Sequence, residues 1–241
     1  MLALGQQHSL ACADGDIVLA WGDNHRGQFG DGTRTARLTP EKVFDADFVA
    51  IAAGMQHSLG LTREGHLLSW GGNEFGQLGD GTLYPRLQPV EIALSEVKTI
   101  SAGWWHSLAV TSSGEMWAWG QNKQGQLGDG TLESRDSPTL VCSGAKQAAA
   151  GWLHSCAVMT SGQVLVWGTL DGSSYMEVTE VADAAFGATS VDCGYAHVVF
   201  ATRDGQVFAF GANDRGQLGD GSGARAAQPV QVDTAAASGA A

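Results

Sequence analysis

Hydrophobic and polar residues alternate along short segments, and the same pattern recurs five times in this chain of 241 residues. In the second copy, residues 57–62 alternate in this way, which predicts a strand with one buried face. A turn at 63–65 and a second strand at 66–70 follow, and then come a long polar loop at 73–88 and a short strand at 89–92. No segment has the period of a helix. Each copy therefore predicts a small sheet of three to four short strands.

The five copies begin at equivalent glycines, which lie 43 to 49 residues apart: Gly5, Gly54, Gly103, Gly151 and Gly194. A repeat of this length is one structural unit that cannot bury its apolar face alone. All-β units of this size pack around an axis as the blades of a propeller, an arrangement that leaves only short strand edges. The sequence therefore predicts an all-β propeller domain at residues 1–232, followed by an alanine-rich tail at 233–241.

Three recurring strings carry a resemblance to a known family: H-S-L-A at 106–109, W-G-x-N at 119–122 and G-Q-L-G-D-G-T at 76–82. They resemble the repeat of the regulator of chromosome condensation family. The resemblance implies a β-propeller, and members of that family usually have seven blades. Two alternatives follow, a five-bladed ring or a fragment of a larger one. Residues 2–4 align with the end of a strand that the last copy lacks, which favours a ring closed by the N-terminal strand.

Several polar and aromatic residues recur at fixed positions, and we interpret them as parts of the blade. The aspartate of the G-Q-L-G-D-G-T loop is expected to cap its own turn. The recurrent histidine is expected to be buried and bonded to backbone in its own blade, because a symmetric ring would hold the imidazoles too far apart for one metal ion. The aromatic residue that ends each central strand is expected to pack between adjacent blades: Trp21, Trp70, Trp119, Trp167 and Phe210.

The four cysteines show no paired spacing, so neither a disulfide framework nor a metal site is predicted, and no cofactor is expected. Cys12, Cys156 and Cys193 replace small apolar residues of other copies. In the earlier copies the position of Cys156 is a leucine and that of Cys193 is an alanine. We therefore expect these three to be free thiols in the core.

The chain is acidic, with 13 lysines and arginines against 25 aspartates and glutamates and a formal net charge of −12. Such a surface argues against binding a nucleic-acid backbone or an anionic membrane. No apolar run is long enough for a membrane helix, and the N-terminus has no positively charged leader. A cytoplasmic location is the resulting expectation.

Positions that vary between copies are the candidates for function. The two residues after the initial glycine vary, and in the last three copies the first of them is aromatic, which predicts a binding patch at one end of the propeller. The candidate residues are Trp104, Trp105, Trp152, Tyr195 and, in the second copy, Met55. The fourth copy replaces the G-Q-L-G-D-G-T loop by residues 169–176, which predicts a notch in the rim nearby.

The motifs of hydrolases and metalloproteases are missing, so an enzyme is not expected. The leading hypothesis is a propeller that binds a protein partner, and the alternative is one that binds a carbohydrate or another small ligand. Guanine nucleotide exchange, which the resemblance also suggests, is less favoured because no copy exceeds 49 residues and the exchange factor uses insertions. UV-B sensing is less favoured because Trp105 and Leu153 stand where the photoreceptor of that family has arginines.

Overall fold

The computed structural model describes residues 1–13 and 16–233, which form five four-stranded antiparallel sheets. Each sheet contains four strands that are consecutive in the chain. The strands of the first sheet are β1 (Leu2–Leu4), β2 (His8–Ala13), β3 (Ile17–Gly22) and β4 (Arg37–Asp45). Those of the second are β5 (Phe48–Ala53), β6 (His57–Thr62), β7 (Leu67–Gly71) and β8 (Arg86–Glu91).

The other three sheets repeat the arrangement. The third consists of β9 (Val97–Ala102), β10 (His106–Thr111), β11 (Met116–Gly120) and β12 (Arg135–Cys142). The fourth consists of β13 (Ala145–Ala150), β14 (His154–Met159), β15 (Val164–Leu170) and β16 (Ser173–Ala182). A short 3₁₀ helix, Ala184–Phe186, precedes the fifth, which consists of β17 (Ala188–Cys193), β18 (His197–Thr202), β19 (Val207–Gly211) and β20 (Ala226–Gln231). In these residues no helix is long and apolar enough to cross a bilayer.

The prediction of an all-β fold built from five repeated blades is confirmed. The strand predicted at 57–62 has those bounds, and the strand predicted at 66–70 lies one residue later, at Leu67–Gly71. The last strand of the second sheet starts earlier than predicted, at Arg86, because it pairs with β7 back to Gly71. Of the predicted tail, residues 234–241 lie outside the described residues.

Each sheet packs against the next through a shared apolar core that contains the repeated aromatic residue. Trp70, Trp119 and Trp167 are fully buried in these cores, and the indole N–H of each donates to a glutamine carbonyl of the preceding sheet at 2.9 Å. For Trp119 the acceptor is the Gln77 carbonyl. The prediction that these side chains pack between blades is confirmed for all three.

The repeated histidines also join neighbouring sheets, although a partner within the same blade was expected. His57 Nε2 lies 3.0 Å from Ser107 Oγ in the next sheet, and the Ser107 hydroxyl donates to the Gln77 carbonyl at 2.8 Å. A serine can accept from one side and donate to the other, so the three groups form a chain of hydrogen bonds across the interface. The same chain, here called the interblade relay, links His8 with Ser58 and His106 with Ser155.

The interface between the fourth and fifth sheets lacks this relay. A two-residue turn, Asp171–Gly172, joins β15 to β16, so the fourth sheet has no glutamine loop to supply a carbonyl. Both turn residues have positive φ, 47° and 77°, the conformation of a tight hairpin turn. The fifth sheet correspondingly has Val198 in place of the relay serine and Phe210 in place of the tryptophan. In the described part of the chain His154 Nε2 has no hydrogen-bond partner. The loss of the acceptor thus explains two departures from the repeat.

The N-terminal strand contradicts the expectation that it completes the fifth sheet. β1 pairs with β2 in the first sheet, with Ala3 opposite Leu10. Among the described residues, the extensive packing contacts between sheets join only sheets that are consecutive in the chain. Leu2 and Leu4 are each 75% exposed, and Trp21 is only half-buried at the position where Trp70 is fully buried. The first and fifth sheets therefore do not share a core of the kind that joins the others.

The G-Q-L-G-D-G-T loops are held by their aspartates, as predicted. Asp80 Oδ1 accepts from the Thr82 backbone N–H at 3.0 Å and from the Thr82 hydroxyl at 2.7 Å, and Oδ2 accepts from Arg86 Nε at 2.6 Å. Burial alone would raise the pKa of Asp80, but these hydrogen bonds outweigh it and lower the pKa. These bonds fix the loop to the last strand of its own sheet.

Candidate functional site

The turn between the first two strands of each sheet lies at the same end of the blade as the loop after the third strand. In the second sheet this is shown by the pairing of His57 with Gly71 and by the hydrogen bond from the Gly72 N–H to the Gln56 carbonyl, 2.7 Å long. The variable residues after each initial glycine and the polar loops therefore share one face of the protein.

The initial glycines bring the turns of neighbouring sheets into close contact. A Cβ on Gly103 would lie 2.4 Å from His106 Cε1 and 2.7 Å from the Gly151 carbonyl oxygen, so no larger residue fits there. The next residue, Trp104, donates its N–H to the same Gly151 carbonyl at 3.3 Å. This close approach carries the side chains that follow the glycines to adjacent positions around the centre of the face.

Three of the predicted site residues, one from each of three successive sheets, form an aromatic cluster. The rings of Trp152 and Tyr195 stack with their centroids 4.3 Å apart. Trp104 meets both rings at an angle, 5.2 Å from Trp152 and 5.6 Å from Tyr195. Both tryptophans are half-buried, whereas Tyr195 is 54% exposed. Trp104, Trp152 and Tyr195 are called the aromatic cluster below.

The aromatic cluster borders a central depression of about 260 Å³, whose bottom is formed by the initial glycines. Sequence reasoning missed the residues beside those glycines, including Leu4, Gln6 and Cys193, although they occupy the positions flanking each glycine in the repeat. Among the described residues that line the depression there is no carboxylate, imidazole or amine. The depression can therefore offer aromatic faces, apolar contacts and backbone groups, and its titratable side chains among the described residues are the thiol of Cys193 and the phenol of Tyr195.

The other two predicted site residues do not join the aromatic cluster. Trp105 packs against Phe75 of the preceding sheet, with the ring centroids 5.2 Å apart. Met55 is half-buried, and its N–H donates to the Trp104 carbonyl at 3.3 Å, but its side chain is not among the described groups that line the depression. Of the five predicted residues, the aromatic cluster thus contains only the three that directly follow Gly103, Gly151 and Gly194.

The fourth sheet has a tight hairpin on this face, where the missing loop predicted a notch. The hairpin lies beside the aromatic turn, because the Thr169 N–H donates to the Leu153 carbonyl at 2.7 Å. Arg225 of the fifth sheet reaches across and donates to the Asp171 carbonyl at 3.3 Å. A cavity of only about 60 Å³ is left between the hairpin and the fifth sheet.

The sequence of this chain matches a known family along almost its whole length. The profile of the RCC1-like domain matches residues 1–240. The chain belongs to the RCC1-like domain family. The antiparallel four-stranded blades of this chain, and the scarcity of helix in its described residues, agree with an RCC1-like propeller fold.

Solved RCC1-like structures superpose closely on this chain. Human WBSCR16 matches with a TM-score of 0.85 and 26% identity over 96% of this chain and 66% of its own. Yeast RCC1 (Prp20), in its structure with Kap60, matches with a TM-score of 0.84 and 20% identity over 97% of this chain and 63% of its own. Prp20p from Saccharomyces cerevisiae gives a TM-score of 0.82 at 20% identity. This RCC1-like chain thus spans slightly less than two thirds of the length of these structures.

Proposed function

We propose that this protein is a non-enzymatic interaction propeller that binds a protein partner through the aromatic cluster. The observation that carries the proposal is the contact of three aromatic rings from three sheets at the edge of the central depression. Aromatic side chains supply large contact areas with little loss of conformational freedom, and they dominate the energetics of protein interfaces. Exposed aromatic groups that meet at one place mark a binding site more strongly than scattered ones.

The scaffold beneath the aromatic cluster also supports binding. Trp104 follows Gly103, which fits tightly against Gly151, and its blade is fixed to the next by the relay from His106 to Ser155. A pre-organised surface loses little entropy when a partner binds. The lining offers no acid–base pair, which favours recognition over catalysis. Binding of proteins is also a property of structural relatives, since yeast RCC1 was crystallised with Kap60 and Prp20p was studied for its binding to Gsp1p and histones.

Removal of the cluster should abolish capture of the partner. In a variant with Trp104→Ala and Trp152→Ala, we expect affinity for the partner to fall roughly 100-fold, as for interface residues of this type. The partner is first identified by mass spectrometry of proteins retained on immobilised wild-type protein. Its affinity for the purified wild type and the double variant is then measured by calorimetry.

Trp105→Ala is the matched control, because Trp105 lies in the same turn but packs against Phe75 outside the aromatic cluster. The control should retain the partner, and urea unfolding should show that both variants are folded. If the folded double variant captures the same proteins with the same affinity as the wild type, the proposed site is wrong.

Carbohydrate binding is the second candidate, and the stacked pair of Trp152 and Tyr195 is the observation that favours it. A flat aromatic platform can hold the apolar face of a sugar ring. A glycan array distinguishes the two functions: a sugar bound by the wild type and lost in the double variant would favour this candidate over a protein partner.

A further inference from the structure

At three of the four interfaces between consecutive sheets, one position in the second strand of a sheet lies in the same apolar core as one position in the first strand of the next. The first position holds a leucine and the second an alanine, and both belong to the same apolar core. The pairs are Leu10 with Ala53, Leu59 with Ala102, and Leu108 with Ala150. The repeat therefore brings these two positions together wherever it forms an interface.

At the interface of the fourth and fifth sheets both positions are cysteine. Cys156 Sγ, in β14, lies 2.8 Å from Cys193 Sγ, in β17. Both thiols also face the Ala149 carbonyl oxygen, at 3.7 Å from Cys156 Sγ and 3.4 Å from Cys193 Sγ. Cys156 and Cys193 are free thiols, as expected, but their spacing in the sequence did not predict that they meet. The two residues are 37 positions apart in sequence, but the equivalent positions share one apolar core at each of the other three interfaces.

The two cysteines differ in their burial. Cys156 is fully buried, whereas Cys193 is half-buried and lines the central depression, two residues before Tyr195. A small oxidant that enters the depression meets Cys193 first. The buried sulfur of Cys156 is then in place to attack it. A sulfenic acid formed on Cys193 would thus lie beside a second thiol that can convert it to a disulfide.

We propose that Cys156 and Cys193 form a modification site, at which hydrogen peroxide oxidises the pair to a disulfide that joins the fourth and fifth sheets. The Cys193 thiolate attacks one peroxide oxygen, the O–O bond breaks, and hydroxide leaves and takes up a proton as water. The product is a sulfenic acid. Cys156 sulfur then attacks Cys193 sulfur, the S–S bond forms and the S–O bond breaks, and the hydroxide takes up the Cys156 proton as a second water. The two thiols lose two electrons and peroxide gains them.

Both the position of the pair and its surroundings affect the rate of this reaction. Burial raises the pKa of Cys193 well above its ordinary value, and the neighbouring Cys156 thiol and the Asp192 carboxylate act in the same direction. The thiolate is therefore scarce at neutral pH, and oxidation is best followed in mildly alkaline buffer. The inference is independent of the proposed binding function.

The test is to treat the full chain with hydrogen peroxide and to map its thiols. We expect two of the four thiols to become resistant to a maleimide reagent, and a non-reducing peptide map to link the Cys156 and Cys193 peptides. The midpoint of thermal unfolding should rise by roughly 5–10 °C and return to its original value after reduction, as for a disulfide closing a loop of this length.

Matched variants can be taken from the repeat itself. Cys156→Leu with Cys193→Ala recreates the interface of the earlier sheets, and it should fold and show no peroxide-dependent rise in melting temperature. Cys12→Ser with Cys142→Ser keeps the pair and should respond as the wild type does. The inference is overturned if Cys156 and Cys193 stay reduced in folded protein, or if Cys193 is oxidised to sulfinic acid without becoming linked to Cys156.

Discussion

Lowering the pH from 7 to 5 should remove on the order of 7 kcal/mol of folding free energy, enough to unfold a domain of ordinary stability. The cause is the set of buried histidines that join the blades. Burial lowers the pKa to about 4 in His8 and His154 and to about 3 in His57 and His106. A histidine in the unfolded chain takes up a proton near pH 6.5. All four are therefore neutral in the folded protein across a range in which the unfolded protein is protonated.

The sign of the effect follows from linkage. Between about pH 6.5 and 4 the unfolded state holds more protons than the folded state, so stability rises with pH in this window and is lost as the pH falls through it. Four histidines give a maximal slope of about 5 kcal/mol per pH unit. The aspartates of the loops, such as Asp80, have lowered pKa values and add their own loss only at more acidic pH.

The measurement is a series of urea unfolding curves between pH 7.5 and about pH 5. His66 provides the matched control because it is half exposed and lies outside the interfaces. His66→Gln should leave the stability at pH 7 nearly unchanged, whereas His106→Asn should lower it and remove the contribution of one histidine to the pH slope. A stability that stays constant from pH 7 to 5 would contradict the burial of neutral histidines.

Trp119→Ala should destabilise the protein by about 3–5 kcal/mol, the usual cost of truncating a buried tryptophan. The indole is fully buried between the second and third sheets, and its N–H donates to the Gln77 carbonyl at 2.9 Å. The substitution leaves a cavity and removes this hydrogen bond. The free energy of unfolding from urea titration at pH 7.5 gives the magnitude.

The repeat provides two controls for this substitution. Trp21 occupies the equivalent position in the first sheet but is only half-buried, so Trp21→Ala should cost about 1 kcal/mol. Trp119→Phe keeps most of the volume and removes the N–H donor, as in the fifth sheet, where Phe210 stands at this position. It should cost about 1–2 kcal/mol. Equal losses for Trp21→Ala and Trp119→Ala would mean that packing between sheets contributes little to stability.

The blade could be predicted from the sequence because its information is local. Alternation over 57–62 gave the strand, and the recurrence of Trp70 and Asp80 at equivalent positions gave their structural roles. Equivalence between copies also identified Trp104, Trp152 and Tyr195 as neighbours on one face, although their function remains a proposal.

What the sequence could not supply is the register between blades. The alternation of residues 57–62 is the same whether the imidazole of His57 bonds to backbone of its own sheet or to Ser107 of the next sheet. Cys156 and Cys193 meet for the same reason, through packing of one copy on another. In a turn, moreover, consecutive side chains point in different directions. The pattern alone therefore does not show that Trp105 packs against Phe75 and lies outside the aromatic cluster. Contacts that are distant in sequence set all three outcomes.

The interblade relay has a direction, and this restricts how such a chain can grow by gene duplication. In the second sheet, Ser58 bonds to His8 of the first sheet. His57 and the Gln77 carbonyl of the second sheet bond to Ser107 of the third. A duplicated second or third repeat would therefore fit beside its parent, with every donor facing an acceptor. The same repeat inserted after the fourth sheet would bring a serine and a tryptophan to a surface without a glutamine carbonyl. New blades are thus most readily accommodated in the first three repeats, and the junction before Val198 and Phe210 resists insertion.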